Sequence, residues 1–103
     1  MLTIGGFAKL GGLSARMLRH YDLMGLLCPA YVAENGYRYY DPAQLAVAEQ
    51  IETLKGYGFS LAEIRGLLPL PQEELAVRIH TRRLRLQGEL DALRKKLRQM
   101  EAD

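Results

Sequence analysis

The stretch Ser14–Met24, SARMLRHYDLM, decides the fold of this chain because it reads as a short amphipathic helix whose two ends are both marked. At about 100° per residue, one arc carries the cationic side chains and the opposite arc the apolar ones. The first arc comprises Ala15, Arg16, Arg19, His20 and Leu23, and the second comprises Met17, Leu18, Tyr21 and Met24. Ser14 is the predicted N-cap, and Gly25 is the predicted left-handed stop. Taken alone, these residues fit a groove-binding helix or an ordinary surface helix with two solvated arginines.

The residues before Ser14 predict a partner helix. Thr3 is a plausible N-cap for a helix over Ile4–Leu10, and Gly11-Gly12-Leu13 forms a tight break. Two helices joined by a glycine-containing turn of this length have the layout of a helix-turn-helix, whose second helix enters the major groove.

A hairpin is predicted directly after this pair. Tyr31-Val32 and Tyr37–Tyr40 flank Ala33–Gly36, and Asn-Gly between such residues indicates a turn with positive φ at both positions. Alternation places Tyr37 and Tyr39 on one face and Arg38 and Tyr40 on the other. A basic, tyrosine-rich hairpin in this position is typical of a wing. In the alternative interpretation, the tyrosines only close a small core.

Two further helices follow the hairpin. Asp41-Pro42 predicts the start of a helix that runs to about Gly56, with a buried stripe of Leu45, Ala48, Ile51 and Leu54. Ser60–Glu63 is a capping box that opens a fourth helix through Leu68. Lys55 lies beside the loop between the two helices, where a lone lysine is normally solvated surface.

The rest of the chain predicts one long helix. Pro69 and Pro71 form a stiff joint, and Gln72–Met100 carries an apolar stripe at alternating spacings of four and three, interrupted only by Arg83. Such a helix needs a partner helix, so we expect a homodimer. The predicted dimerisation residues are Ile79, Leu86, Leu90, Leu93, Leu97 and Met100. The expected organisation is mainly α, with a winged helix-turn-helix head over 1–68 and a coiled-coil helix over 72–103.

Composition excludes several classes of protein. The 103 residues carry a net charge of only +2, so any nucleic-acid binding depends on where the cations lie. No apolar run is long enough to span a membrane, and a single cysteine indicates a reducing cytoplasm. His20 and His80 fall on different helices, and no phosphate loop or paired-carboxylate constellation occurs. We therefore expect no enzyme activity, no cofactor and no metal site.

The ordered motifs resemble the MerR family of bacterial transcriptional regulators. The likeness runs through IGGFAKLGGLSARMLRHYDLMGLLCPAYVAENGYRYYDPAQL (4–45) and IETLKGYGFSLAEIRGLL (51–68), and the LCPAYV and YRYYDPAQL portions are similar to multidrug-responsive members. The resemblance implies an antiparallel coiled coil that joins two heads on a pseudo-palindromic promoter. It also implies that the dimer distorts this DNA and so affects RNA polymerase indirectly. The implied DNA contacts are Ser14, Ala15, Arg16, Arg19, His20, Tyr21, Tyr37, Arg38, Tyr39 and Lys55.

Three points stay open at this stage. His20 stands where the family usually has a tyrosine, which makes a pH-sensitive phosphate contact conceivable. Cys28 reads as a small apolar filler in preference to a redox or metal sensor. The chain reads as a truncated DNA-binding fragment or a natural short form, and in the alternative function a short form pairs through its coiled helix with a full-length regulator and modulates it.

Overall fold

The computed structural model describes residues 1–103 and divides the chain into two compact units, Met1–Pro69 and Leu70–Asp103. The first unit, called the head below, contains β1 (Leu2–Thr3), α1 (Ile4–Gly11), α2 (Ala15–Leu23), β2 (Tyr31–Val32), β3 (Arg38–Tyr40), α3 (Gln44–Gly56) and α4 (Leu61–Leu67). The second unit is the helix α5 (Gln72–Ala102). The predicted architecture of four helices and a hairpin, followed by one long helix, is confirmed. None of the helices combines the length and the apolar character that a membrane span requires.

Local capping sets the ends of the first two helices. The Oγ1 atom of Thr3 accepts a hydrogen bond from the backbone N–H of Gly6 at 3.1 Å, and the Oγ atom of Ser14 accepts one from Met17 at 3.0 Å. Each such cap stabilises a helix by about 1 kcal/mol. Gly12 ends α1 with a φ of 68°, which an L-residue with a Cβ rarely adopts. The helix-turn-helix break therefore lies where the glycines predict it.

The third helix begins two residues later than its sequence signature suggests. Pro42 and Ala43 form a turn, and α3 starts at Gln44 without a side-chain cap at Ala43. Asp41 still organises this start, since its Oδ1 atom accepts from the Ala43 N–H and its own N–H donates to Oε1 of Gln44, both at 2.9 Å. The predicted capping box at Ser60 and Glu63 is confirmed at the start of α4.

The turn of the hairpin corrects one sequence prediction. Only Gly36 has a positive φ, 86°, so Asn35 does not adopt the left-handed conformation expected for an Asn-Gly two-residue turn. The carbonyl of Ala33 accepts from the Gly36 N–H, and the Ala33 N–H donates to the carbonyl of Tyr37, both at 2.8 Å. This pattern is a type I turn followed by a left-handed glycine, the usual three-residue hairpin loop. The Asn35 side chain is used instead as an acceptor for the Tyr37 N–H at 3.1 Å.

A third strand joins the hairpin and was not predicted from the sequence. β1 pairs antiparallel with β3, with Leu2 opposite Tyr40 and Thr3 opposite Tyr39, so β3 is the central strand of a sheet ordered β1-β3-β2. Two residues are too few to show a period-2 pattern. The strand ties the start of α1 to the wing.

The core of the head lies between α1, α2, α3, α4 and β3. Its fully buried large side chains are Phe7, Leu18, Tyr21, Tyr40, Ile51, Leu54 and Ile64. The ring of Tyr40 stacks on Phe7 with centroids 4.7 Å apart, so this tyrosine closes the core and does not belong to the wing surface. Its hydroxyl oxygen is buried without a hydrogen-bond partner.

That unpaired hydroxyl leads to a stability prediction. We expect Tyr40→Phe to leave the free energy of unfolding unchanged or to raise it by about 1 kcal/mol, because the change removes a buried polar atom that gains no hydrogen bond on folding. Urea denaturation followed by circular dichroism measures the effect, with the exposed Tyr31→Phe as a control within about 0.5 kcal/mol of wild type. A loss of more than about 1 kcal/mol in Tyr40→Phe would contradict the assignment.

Candidate nucleic-acid interface

Helix α2 presents a cationic face to solvent. Arg16, Arg19 and His20 are exposed, whereas Leu18 and Tyr21 on the opposite side are fully buried. The predicted division of this helix into an outward cationic arc and an inward apolar arc is confirmed. Arginine side chains on an exposed helix that follows a tight turn can reach base edges and phosphates together.

The wing is attached to α2 through an ion pair. Nη2 of Arg38 lies 3.7 Å from Oδ2 of Asp22, and both side chains are partly buried. Such a pair contributes little net stability, about 0–1 kcal/mol, so its main consequence is to orient the Arg38 guanidinium beside α2. Tyr39 packs its ring against Tyr31 across the hairpin, with centroids 6.1 Å apart.

An open cleft lies between the middle of α2, the start of α1 and the wing. Its lining residues are Thr3, Ile4, Arg19, Gly36, Tyr37, Arg38 and Tyr39. Four of the ten predicted DNA contacts, from two segments nearly twenty residues apart, therefore surround one concave surface. The two guanidinium groups carry positive charge and only donate hydrogen bonds, and the hydroxyls of Tyr37 and Tyr39 can donate as well, which suits an anionic oxygen.

Sequence reasoning missed three members of this cleft. Thr3, Ile4 and Gly36 line it because β1 pairs with β3 and brings the first turn of α1 beside the hairpin. The pairing of a two-residue strand is a tertiary event with no local sequence signal. Thr3 also caps α1, so one residue shapes the cleft and fixes the helix start.

Tyr21 corrects one predicted DNA contact. Its side chain is fully buried, so the ring cannot touch a nucleic acid without unfolding of the head. The hydroxyl donates to Oε1 of Glu52 at 2.5 Å and accepts from Nζ of Lys55 at 3.0 Å. Tyr21 is therefore a positioning residue that connects α2 to α3.

The ammonium group of Lys55 is held by Tyr21 and Glu52, whereas a lone surface lysine is normally surrounded by solvent. Its Nζ atom lies 3.5 Å from Oε1 of Glu52 and 5.5 Å from the centroid of the Tyr21 ring. The hydrogen bond to Tyr21, with help from nearby Glu52, raises the pKa of Lys55, although burial acts against this. Burial, together with the hydrogen bond to Glu52, raises the pKa of Tyr21. The cation is thus kept charged and in place, and Glu52 is a residue that no sequence pattern singled out.

These two pKa shifts predict an alkaline loss of stability. Because both folded-state pKa values lie above the ordinary values of 10.0 and 10.5, the folded head retains protons that the unfolded chain releases, and stability falls as pH rises through this range. Tyr21→Phe removes one of the two titrating groups, so its free energy of unfolding should fall less steeply between about pH 9 and pH 11. Urea denaturation at a series of pH values tests this. Identical slopes for wild type and variant would contradict it.

Cys28 also departs from its predicted role. The side chain is exposed and is not an apolar filler. A hydrogen bond between the thiol and Asp22, with a smaller effect of burial, raises the pKa of Cys28 and keeps it protonated. Asp22 thus contacts Arg38 of the wing and Cys28 of the segment that precedes the wing.

Two helices joined by a tight turn, followed by an antiparallel wing that shares a basic cleft with the second helix, define a winged helix-turn-helix protein. Residues 2–70 match the model of the MerR HTH family regulatory proteins, and the chain belongs to the MerR family.

Relatives and solved structures agree with this assignment. The chain is 38% identical to the HTH-type transcriptional regulator SkgA of Caulobacter vibrioides over 89 residues, which cover 86% of this chain and 35% of SkgA. The crystal structure of MtaN, the N-terminus of the Bacillus subtilis multidrug transporter activator, aligns with a TM-score of 0.87 at 28% identity, covering 98% of this chain and 95% of that one. HiNmlR, a MerR family regulator lacking the sensor domain and bound to promoter DNA, aligns with a TM-score of 0.67 at 25% identity, covering 97% and 84%. The chain spans about a third of the length of SkgA.

Proposed function

We propose that the chain is a cytoplasmic transcriptional regulator that binds a pseudo-palindromic promoter site as a homodimer and distorts the DNA there, and thereby acts on RNA polymerase through the promoter. The observation that carries the proposal is the cleft in which Arg19 of α2 and Arg38 of the wing lie together. A winged helix-turn-helix binds DNA with one element that enters a groove and a second element that contacts the backbone beside that groove.

The proposed contacts divide into two kinds. Arg16 is exposed and Ala15 half-buried in the first turn of α2; both are assigned to base edges, with Ser14 before them as the cap. The residues assigned to phosphates are Arg19, His20, Tyr37, Arg38 and Tyr39, together with Lys55 in the last turn of α3. Phosphate contacts fix the position of the protein and make binding salt-dependent.

Distortion of the DNA requires many anchors on each side of the promoter centre. Bending a site of 20 to 30 base pairs costs of order 1–6 kcal/mol, which several charged contacts per head must offset. Lys55 suits this role because Tyr21 and Glu52 hold its ammonium in one place, so that little side-chain entropy is lost on contact.

The alternative function, modulation of a full-length regulator through the coiled helix alone, is not favoured. It leaves the exposed arginines of α2 and the basic cleft without a role. HiNmlR is described as bound to promoter DNA although it lacks the sensor domain. A head of this kind therefore has a precedent for DNA binding without a further domain.

Titration of the purified chain against labelled promoter DNA from its own locus, at about 50 mM and 200 mM salt, tests the proposal. We expect sequence-selective binding that weakens by about 10³-fold or more between these salt concentrations, and a dimer in sedimentation. A monomer, or a dimer that does not distinguish this DNA from an unrelated fragment, would overturn the proposal. Either result would favour the alternative function, modulation of a full-length regulator.

A further inference from the structure

The apolar stripe of α5 is exposed from Leu86 to Met100 and half-buried at Ile79, and the helix has no fully buried residue. The exposed fraction is 40% for Leu86, 41% for Leu90, 57% for Leu93 and for Leu97, and 70% for Met100. We propose that a second copy of this chain covers the stripe in one particular antiparallel register, in which Leu90 lies opposite Leu93 of the partner subunit and Leu86 opposite the partner's Leu97. The inference rests on the homodimer of the proposed function and specifies how that dimer is aligned.

The charges along one flank of the stripe select this register. The residues at this flank recur every seven positions and are Arg82, Glu89, Lys96 and Asp103. The first three directly precede Arg83, Leu90 and Leu97 of the stripe. In an antiparallel pair this flank faces the same flank of the partner. In the proposed register Glu89 meets the partner's Lys96, and Arg82 meets the partner's Asp103. Both facing pairs carry opposite charges, and two-fold symmetry makes each pair occur twice.

The other flank is compatible with the same alignment. Its residues are His80, Gln87, Arg94 and Glu101, which directly follow Ile79, Leu86, Leu93 and Met100 of the stripe. His80 then meets the partner's Glu101, and Gln87 meets the partner's Arg94. No like charges face each other on either flank.

Arg83, the one charged residue in the stripe, points to the same arrangement. In the antiparallel register it lies opposite the partner's Met100, next to the acidic Glu101 and Asp103 of the partner's C-terminal turn. In a parallel pair Arg83 would face its own copy across the seam, which brings two cations together in a partly desolvated position.

Shifting the pair by one heptad in either direction brings like charges together. In one direction Glu89 faces its own copy and Arg82 faces the partner's Lys96. In the other direction Lys96 faces its own copy and Glu89 faces the partner's Asp103. Like charges across a coiled-coil seam disfavour a register, so the flanking residues favour one of these three antiparallel alignments.

A pair of charge reversals tests the register. Glu89→Lys makes positions 89 and 96 of that chain both basic, and Lys96→Glu makes the same two positions both acidic. Each variant alone should have a dimer dissociation constant about tenfold above wild type, because its two flanking ion pairs become repulsive. An equimolar mixture of the two should return to within about threefold of wild type as a heterodimer, since every repulsive pair becomes attractive.

Sedimentation equilibrium of the full chains, with one variant tagged to identify the mixed species, measures these constants. The matched control is Lys95→Glu, a charge reversal on the opposite face of α5, which should stay within about twofold of wild type. A mixture that dimerises no better than the single variants, or a Lys96→Glu dimer tighter than wild type, would overturn the register. If wild type dimerises and binds promoter DNA while the rescue fails, only the register is wrong. If wild type forms no dimer, the proposed function fails as well.

Discussion

Replacing Arg16 with alanine should lower the affinity of the chain for its promoter by about 10²- to 10³-fold and remove most of its discrimination against unrelated DNA. Arg16 is exposed in the first turn of α2, where the Ser14 cap fixes the start of the helix. A bidentate contact of an arginine with a guanine supplies about 1–3 kcal/mol of discrimination, and a symmetric dimer loses two such contacts at once. Anisotropy titrations against the promoter and against a scrambled duplex measure both effects.

Arg38→Ala is the informative comparison for Arg16→Ala. Its side chain lies in the cleft beside Asp22, so we expect a loss of phosphate contact that is similar for promoter and scrambled DNA. The slope of log affinity against log salt should become less negative by about 1 for each head. Lys95→Ala removes one charge from the outer face of α5 and serves as the charge-matched control. Equal discrimination in wild type and Arg16→Ala would contradict the assignment of α2 as the reading helix.

Replacing Phe7 with alanine should strongly destabilise the head. The ring has no exposed surface and stacks on Tyr40 at 4.7 Å with an interplanar angle of 26°, so its removal leaves a cavity next to the central strand. Such a change costs about 3–5 kcal/mol. A unit of this size has a total stability of about 3–10 kcal/mol, so a large share of it would be lost.

Leu10→Ala, in the same helix, is the matched control for this prediction. Leu10 is 65% exposed, so the variant should lie within about 0.5–1 kcal/mol of wild type. Urea denaturation followed by circular dichroism compares the two variants. A Phe7→Ala midpoint close to that of Leu10→Ala would show that the stacked pair is not central to the core.

Two kinds of residue at the candidate site differ in how far the sequence alone predicts their environment. Arg16, Arg19 and His20 were predicted to face outward from α2, and they do, because helical periodicity alone decides which face a residue occupies. Tyr21 was expected among the DNA contacts and is instead fully buried, and Tyr40 follows the alternative interpretation in which a hairpin tyrosine closes the core. Tyrosine suits both a core and an interface, so its side-chain chemistry does not distinguish these environments.

The sequence by itself determined that the five helices exist, where the caps at Thr3, Ser14 and Ser60 lie, and that left-handed glycines, Gly12 and Gly25, follow α1 and α2. These features depend on hydrogen bonds and periodicities within a few residues, which the order of residue types specifies directly. Only the tertiary structure decided that β1 pairs with β3, that Arg19 and Arg38 share one cleft, and that Tyr21 and Glu52 hold Lys55. These contacts join segments distant in the chain, and they form only when burial of the common core brings the elements together, which no local pattern encodes.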